Sequence, residues 1–164
     1  MNISEEANML AGFVLAHAAW NVSDLPPGVP LVPLALCVEG SERKLFRFEA
    51  ETQEQAIAMG KEFVAKQQAS ASAWAFARVE LMDTVSGKKD AIFVDAWAAG
   101  MGEPIRYIQP FQPYASGAFK LLGAAIPVVA GAMLSPAQSE PYLAVLYQGV
   151  FSHAKAAGLW ALWQ

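Results

Sequence analysis

Between Ser72 and Asp83 the chain alternates without a break. Ala73, Ala75, Ala77, Val79 and Leu81 fall on one side, and Trp74, Phe76, Arg78, Glu80 and Met82 on the other. A period of two is the pattern of a β-strand, whose successive side chains point to opposite faces of a sheet. The alanine side admits a helix at close range. The other side carries rings and charges that also need cover.

The flanking segments supply partners for this strand. Ser4 followed by Glu5 and Glu6 is a helix start, a capping hydroxyl with acids at the positive end of the helix dipole. Leu10, Phe13, Val14, His17 and Trp20 or Asn21 follow at helical spacing, and Pro26-Pro27-Gly28 closes the segment. Val32, Leu34, Leu36 and Val38 alternate in a strand, Glu39-Gly-Ser-Glu reads as a turn, and Lys44 to Ala50 as the return strand of a hairpin. Thr52 with Gln55 forms a capping box for a helix reaching Gln68. Gly60, in its middle, predicts close approach of a neighbouring backbone, with the 72–83 strand as the neighbour. Ser86-Gly87-Lys-Lys reads as a turn, and Ala91–Ala98 and Ile105–Phe111 as two further strands.

A softer boundary lies near Gln112-Pro-Tyr-Ala-Ser-Gly. Beyond it, Ala118 to Val129 reads as a buried strand or a short helix. A final helix starts at Ser135-Pro136 or Ser139-Glu140-Pro141 and ends at Gly158, with Leu143, Leu146, Val150, Ala154 and Ala157 as its stripe. The expectation is one α+β domain over 1–164: a mostly antiparallel sheet of about five strands within 1–112, helices on one face, and an apolar, largely helical subdomain (113–164) on the other. The order helix, hairpin, helix, strand meander, with the acidic charge, resembles small secretion chaperones in outline only. No motif accompanies the likeness, and no residue role follows from it.

Composition narrows function by exclusion. Of 164 residues 55% are hydrophobic and 16% charged, which excludes disorder. The net charge is −4, and the 11 basic residues are scattered, so no nucleic-acid partner is expected. A single cysteine, Cys37, and acids where a secretory signal carries bases predict a cytoplasmic chain. The apolar run from Gly117 to Met133 is broken only by the charge of Lys120. Its dense part, Leu121–Leu134, is 14 residues long, short of the roughly 20 that span a bilayer.

Candidate chemistry is sparse. His17, beside Trp20 and Asp24, has the residue types for acid–base work; core packing is the alternative. Asp95 in IFVDAW is either a buried acid of raised pKa or one half of an ion pair with Arg78, the latter favoured because the two share a face. Trp74, Phe76, Phe93 and Trp97, with Tyr107 or Phe111, are expected to line that face. Candidate ligand-binding residues are therefore His17, Trp20, Asp24, Trp74, Arg78, Asp95 and Trp97. Cys37 reads as an inert buried thiol. Two distant histidines, His17 and His153, give no metal spacing, and no catalytic residue, metal or cofactor is expected. The leading expectation is a non-catalytic protein-interaction module acting as a homodimer, its partner itself or another protein. The alternatives are a membrane-surface protein anchored by Trp160, Trp163 and Leu121–Leu134, and a small-ligand binder or enzyme using the His17/Asp24 cluster or the Asp95 face.

Overall fold

The computed structural model describes residues 4–164. In chain order the elements are α1 (Glu5–Val22), β1 (Leu34–Glu39), β2 (Glu42–Arg47), α2 (Gln53–Gln67), β3 (Ala73–Thr84), β4 (Gly87–Ala98), β5 (Ile105–Gln112), β6 (Lys120–Leu121), β7 (Ile126–Val129), β8 (Ala132–Met133) and α3 (Pro136–Phe151), with a 3-10 turn at Trp160–Trp163. The strands form one antiparallel sheet in the order β2-β1-β3-β4-β5-β7-β8, and β6 adds to β5. The α+β class holds. The five strands expected are all present, and three short ones from the C-terminal third extend the sheet. The second strand ends earlier than expected, at Arg47. The fourth begins at Gly87, because the β3–β4 ladder runs unbroken to the Thr84–Gly87 pair.

Helix starts follow local chemistry. The Ser4 hydroxyl accepts from the Ala7 amide at 3.3 Å. Thr52 and Gln55 exchange both bonds of a capping box, and Ser135 and Gln138 do the same ahead of α3. The final helix stops at Phe151, short of the Gly158 expected to end it, and the chain continues in turns whose bonds involve His153 and Ala156.

The layers differ from expectation in which helix covers which face. Leu34, Leu36, Ala73, Ala75, Ala77, Val94 and Tyr107 face α1, and one core joins them to Leu146 and Val150 of α3 and to Trp160 and Trp163. The smaller core lies across the sheet, where Ala56 and Val64 of α2 meet Ala35, Cys37, Phe48, Trp74, Phe76 and Trp97. So α1, not α2, packs on the alanine face, and the C-terminal third shares α1's side. Local periodicity says which residues share a face; it does not say which helix comes to lie on it.

α1 sits between sheet and α3, so its small residues matter more than the apolar stripe suggests. Ala7, Ala11, Ala18 and Ala19 are fully buried, while Phe13, His17 and Trp20 lie at its half-buried margin. At the α1–α3 crossing Gly12 and Gly149 face the opposite backbone. A Cβ on Gly12 would lie 1.9 Å from the Leu146 carbonyl oxygen, and one on Gly149 would lie 2.0 Å from that of Met9. The Tyr107 hydroxyl ties the layers together, donating to the Asn8 side chain and facing the Tyr142 carbonyl. Burial raises its pKa far above the ordinary range.

Gly60 is a close approach, but to a ring rather than to backbone. A Cβ there would come within 2.2 Å of the fully buried Phe76 ring and 3.2 Å of Phe48. Gly60→Ala is expected to lower stability by about 1–2 kcal/mol in urea denaturation, the clash outweighing alanine's helix preference of about 1 kcal/mol.

Candidate functional site

On the face away from α1, cross-strand register lines the side chains up in rows. One row runs Arg78, Phe93, Ile108, Ile126 across β3, β4, β5 and β7; the next runs Phe76, Asp95, Arg106, Val128. α2 packs over β1 and β3, leaving the β4–β5–β7 half outside both cores. Phe93, Ile126 and Val128 there are half-buried and Ile108 is buried, and neither core includes any of the four.

Asp95 is the hub of the charges on this face. Its Oδ2 accepts from Nη1 of Arg78 at 2.8 Å, and its Oδ1 accepts from Nε of Arg106 at 2.7 Å. Glu80 accepts from Nε of Arg78 at 2.8 Å. The guanidiniums of Arg78 and Arg106 lie 5.3 and 5.7 Å from the Phe93 ring centre, and Arg78 also approaches Phe76. Burial alone would raise the Asp95 pKa. The hydrogen bond from Arg106 and the charges of both arginines outweigh it and hold the carboxylate below its usual range. The ion pair expected with Arg78 is therefore present, and the raised-pKa acid is not. Arg106 was not foreseen; alternation within Ile105–Phe111 puts it on this face, but only the β4–β5 register shows it opposite Asp95. The Arg78 side chain is 1% exposed and its Nη2 has no hydrogen-bond partner.

Of the expected aromatic face, Trp74, Phe76, Phe93 and Trp97 are on it, with Trp74 directly opposite Trp97. Tyr107 and Phe111 are on the α1 side instead, because residues paired with Val94 and Asp90 inherit that face. The Trp97 indole donates to the Met101 carbonyl at 3.0 Å, and the buried Trp74 Nε1 lacks a partner. A cleft of about 220 Å³ opens at the end of the charged row between Asp95, Arg106, Val128 and the β7–β8 turn at Ala130-Gly131.

His17 lies elsewhere, on the α1 side. Its Nδ1 is 3.1 Å from Nε2 of His153, and Phe13 and Trp20 pack their rings around the pair. Arg43 of β2 sits over Phe13 at 5.4 Å. Asp24 is exposed, and the hydrogen bonds described join it to neither histidine; Ser23 bonds the Trp20 carbonyl at 2.7 Å. The expected His17/Asp24 grouping is thus replaced by a histidine pair. Spacing of 136 residues hid it, and the one available signal was that His153 follows the α3 stripe at Gly149 and Val150.

Cys37 is buried opposite Trp74. Burial, then the Glu39 charge, pushes its thiol up to about 11, which suppresses the reactive thiolate. Among the described residues no three metal-ligating side chains cluster, and no helix is long and apolar enough to cross a membrane. A concave feature of about 390 Å³ on the α1 side is walled by Leu25, Pro26, Pro30, Phe111 and Pro113, and holds none of the candidate residues.

No protein-family model, curated protein or solved structure matches this chain.

Proposed function

We propose that this protein is a non-catalytic interaction module that works as a homodimer through the β4–β5–β7 half of the sheet face opposite α1. The observation that carries the reading is the row Phe93, Ile108, Ile126, with Val128 beside it, on a face that neither core includes. A second copy suits this face because its charges are of both signs. Arg106 is 41% exposed and Glu80 35% exposed, and Glu103 flanks the cleft. A two-fold arrangement brings the same patch to itself, so cations and carboxylates on one patch meet their opposites on the other.

The groups with reactive side chains are already engaged, which favours contact over catalysis. Asp95 is held ionised between two arginines, Cys37 is held as the thiol, and His17 is bonded to His153. The membrane-surface alternative is less well supported, because Trp160 and Trp163 are 2% and 8% exposed and pack against Phe119 and Tyr147.

Light scattering of the full chain at high micromolar concentration is expected to give twice the chain mass. Phe93→Glu, which puts a carboxylate between the two arginines, is expected to halve that mass and leave the circular dichroism spectrum unchanged. A wild-type chain that stays monomeric overturns the reading.

A further inference from the structure

We propose that the His17–His153 pair is a proton-operated latch that holds the segment after α3, residues 152–164, against α1. The Ala156 amide donates to Nδ1 of His153 at 3.0 Å, so in the neutral ring that nitrogen carries the lone pair and Nε2 carries the hydrogen. Nε2–H then donates to Nδ1 of His17 at 3.1 Å. His17 in turn carries its hydrogen on Nε2, which is buried and has no acceptor. One direction of donation runs through the relay, and it fixes both tautomers.

No site in this relay takes another proton without losing a bond. A proton on Nδ1 of His153 faces the Ala156 amide, a second donor. A proton on Nδ1 of His17 faces the Nε2–H of His153, again donor to donor, unless His153 shifts its hydrogen to Nδ1 and so confronts Ala156. The charged groups near the pair are arginines of β2, which accept no hydrogen bond: Arg47, whose charge acts on His17, and Arg43, which lies over Phe13 beside His153. No carboxylate hydrogen-bonds either ring among the contacts described. The same relay excludes a two-histidine metal site in this arrangement. A metal on Nε2 of His153 would displace its hydrogen to Nδ1, against Ala156.

Both histidines accordingly lie below their ordinary pKa. Burial is the main cause at each. At His17 the charges of His153 and Arg47 add to it; at His153 its own carbonyl pulls weakly the other way. A histidine depressed in the folded chain binds fewer protons there than when unfolded. The stability it supports is therefore complete above about pH 6.5, and is lost as pH falls from there towards the folded values. What the latch holds is apolar: Trp160 and Trp163 contact each other, and Trp163 meets Phe119 edge-on at 5.2 Å. Release exposes these rings.

Amide hydrogen exchange on the full chain, compared between about pH 7.5 and about pH 5 and corrected for the intrinsic rate, reads the latch directly. Protection of Ala156 and of the amides from Trp160 to Gln164 is expected to fall at the lower pH, by at most about thirtyfold for each histidine, the limit set by the distance from about pH 6.5 to about pH 5. Protection of the β3–β4 ladder is expected to stay unchanged. In His153→Gln, whose side-chain oxygen still accepts from Ala156 but does not titrate, the loss is expected to vanish. If that variant fails to fold, the ring nitrogen shifts of the wild-type histidines decide. Hydrogen on Nδ1 of His153 at neutral pH, or both rings titrating at the ordinary histidine value, overturns the latch. Equal protection of the C-terminal amides at both pH values also overturns it.

Discussion

Gly12→Ala and Gly149→Ala are each expected to remove about 3 kcal/mol or more of stability, measured as a lower urea midpoint at unchanged slope. A methyl group in a mobile side-chain environment costs less, because the neighbour moves aside. Here the added Cβ would meet the Leu146 carbonyl 1.9 Å away, or the Met9 carbonyl 2.0 Å away. Both belong to helix backbone, so only separation of α1 from α3 relieves the contact. Such a separation also loosens Leu10, Val14, Leu146 and Val150, all 2% exposed or less, which is why the cost exceeds that of ordinary overpacking. The two changes relieve themselves by the same movement. The double variant is therefore expected to lose clearly less than the sum of the single losses. Full additivity would place the two clashes in independent parts of the fold.

Asp95→Ala is expected to cost about 3–5 kcal/mol, since it strands the buried Arg78 guanidinium without its main counter-charge. Glu80 remains on Nε, but Nη1 joins Nη2 as a donor with no acceptor. Adding Arg78→Met in the Asp95→Ala background is expected to restore most of the loss. The apolar side chain fills the space between Phe76 and Phe93 without a charge to solvate. A double variant as unstable as the single would assign the loss to Asp95's bonds with Arg106 instead. The pH dependence has a definite sign. Asp95 is held below its ordinary carboxylate value in the folded chain, so its contribution is complete above about pH 3.9 and declines as acid carries it through the folded value. The latch acts at a higher pH, which separates the two effects in one titration.

The fold was legible where short-range chemistry decides it. The Thr52/Gln55 capping box, the Ser135 start that was one of two expected for the final helix, and the five principal strands follow from spacing within a few residues, and the Arg78–Asp95 pair from a shared face on neighbouring strands. Their physical basis is local: a hydroxyl reaches an amide three residues on, and a pleat alternates side chains. The candidate site was legible only in part. Asp95 and its Arg78 bond were found, but Arg106, the closer of its two arginine contacts, depends on how β5 registers against β4.

What the sequence by itself determined is therefore the two helices and five principal strands before residue 113, the α+β class, and which residues of each of those strands point the same way. Tertiary structure decided which face each helix covers. It put α1 and the C-terminal third on the alanine side and left α2 to the rings. It also brought His153 to His17 across 136 residues and set Gly12 against the Leu146 carbonyl and Gly149 against that of Met9. The reason is that burial is non-directional: an apolar stripe gains nearly the same free energy against any apolar surface. The choice among surfaces falls to close contacts, such as glycine against backbone and ring against ring, which exist only once the chain has assembled.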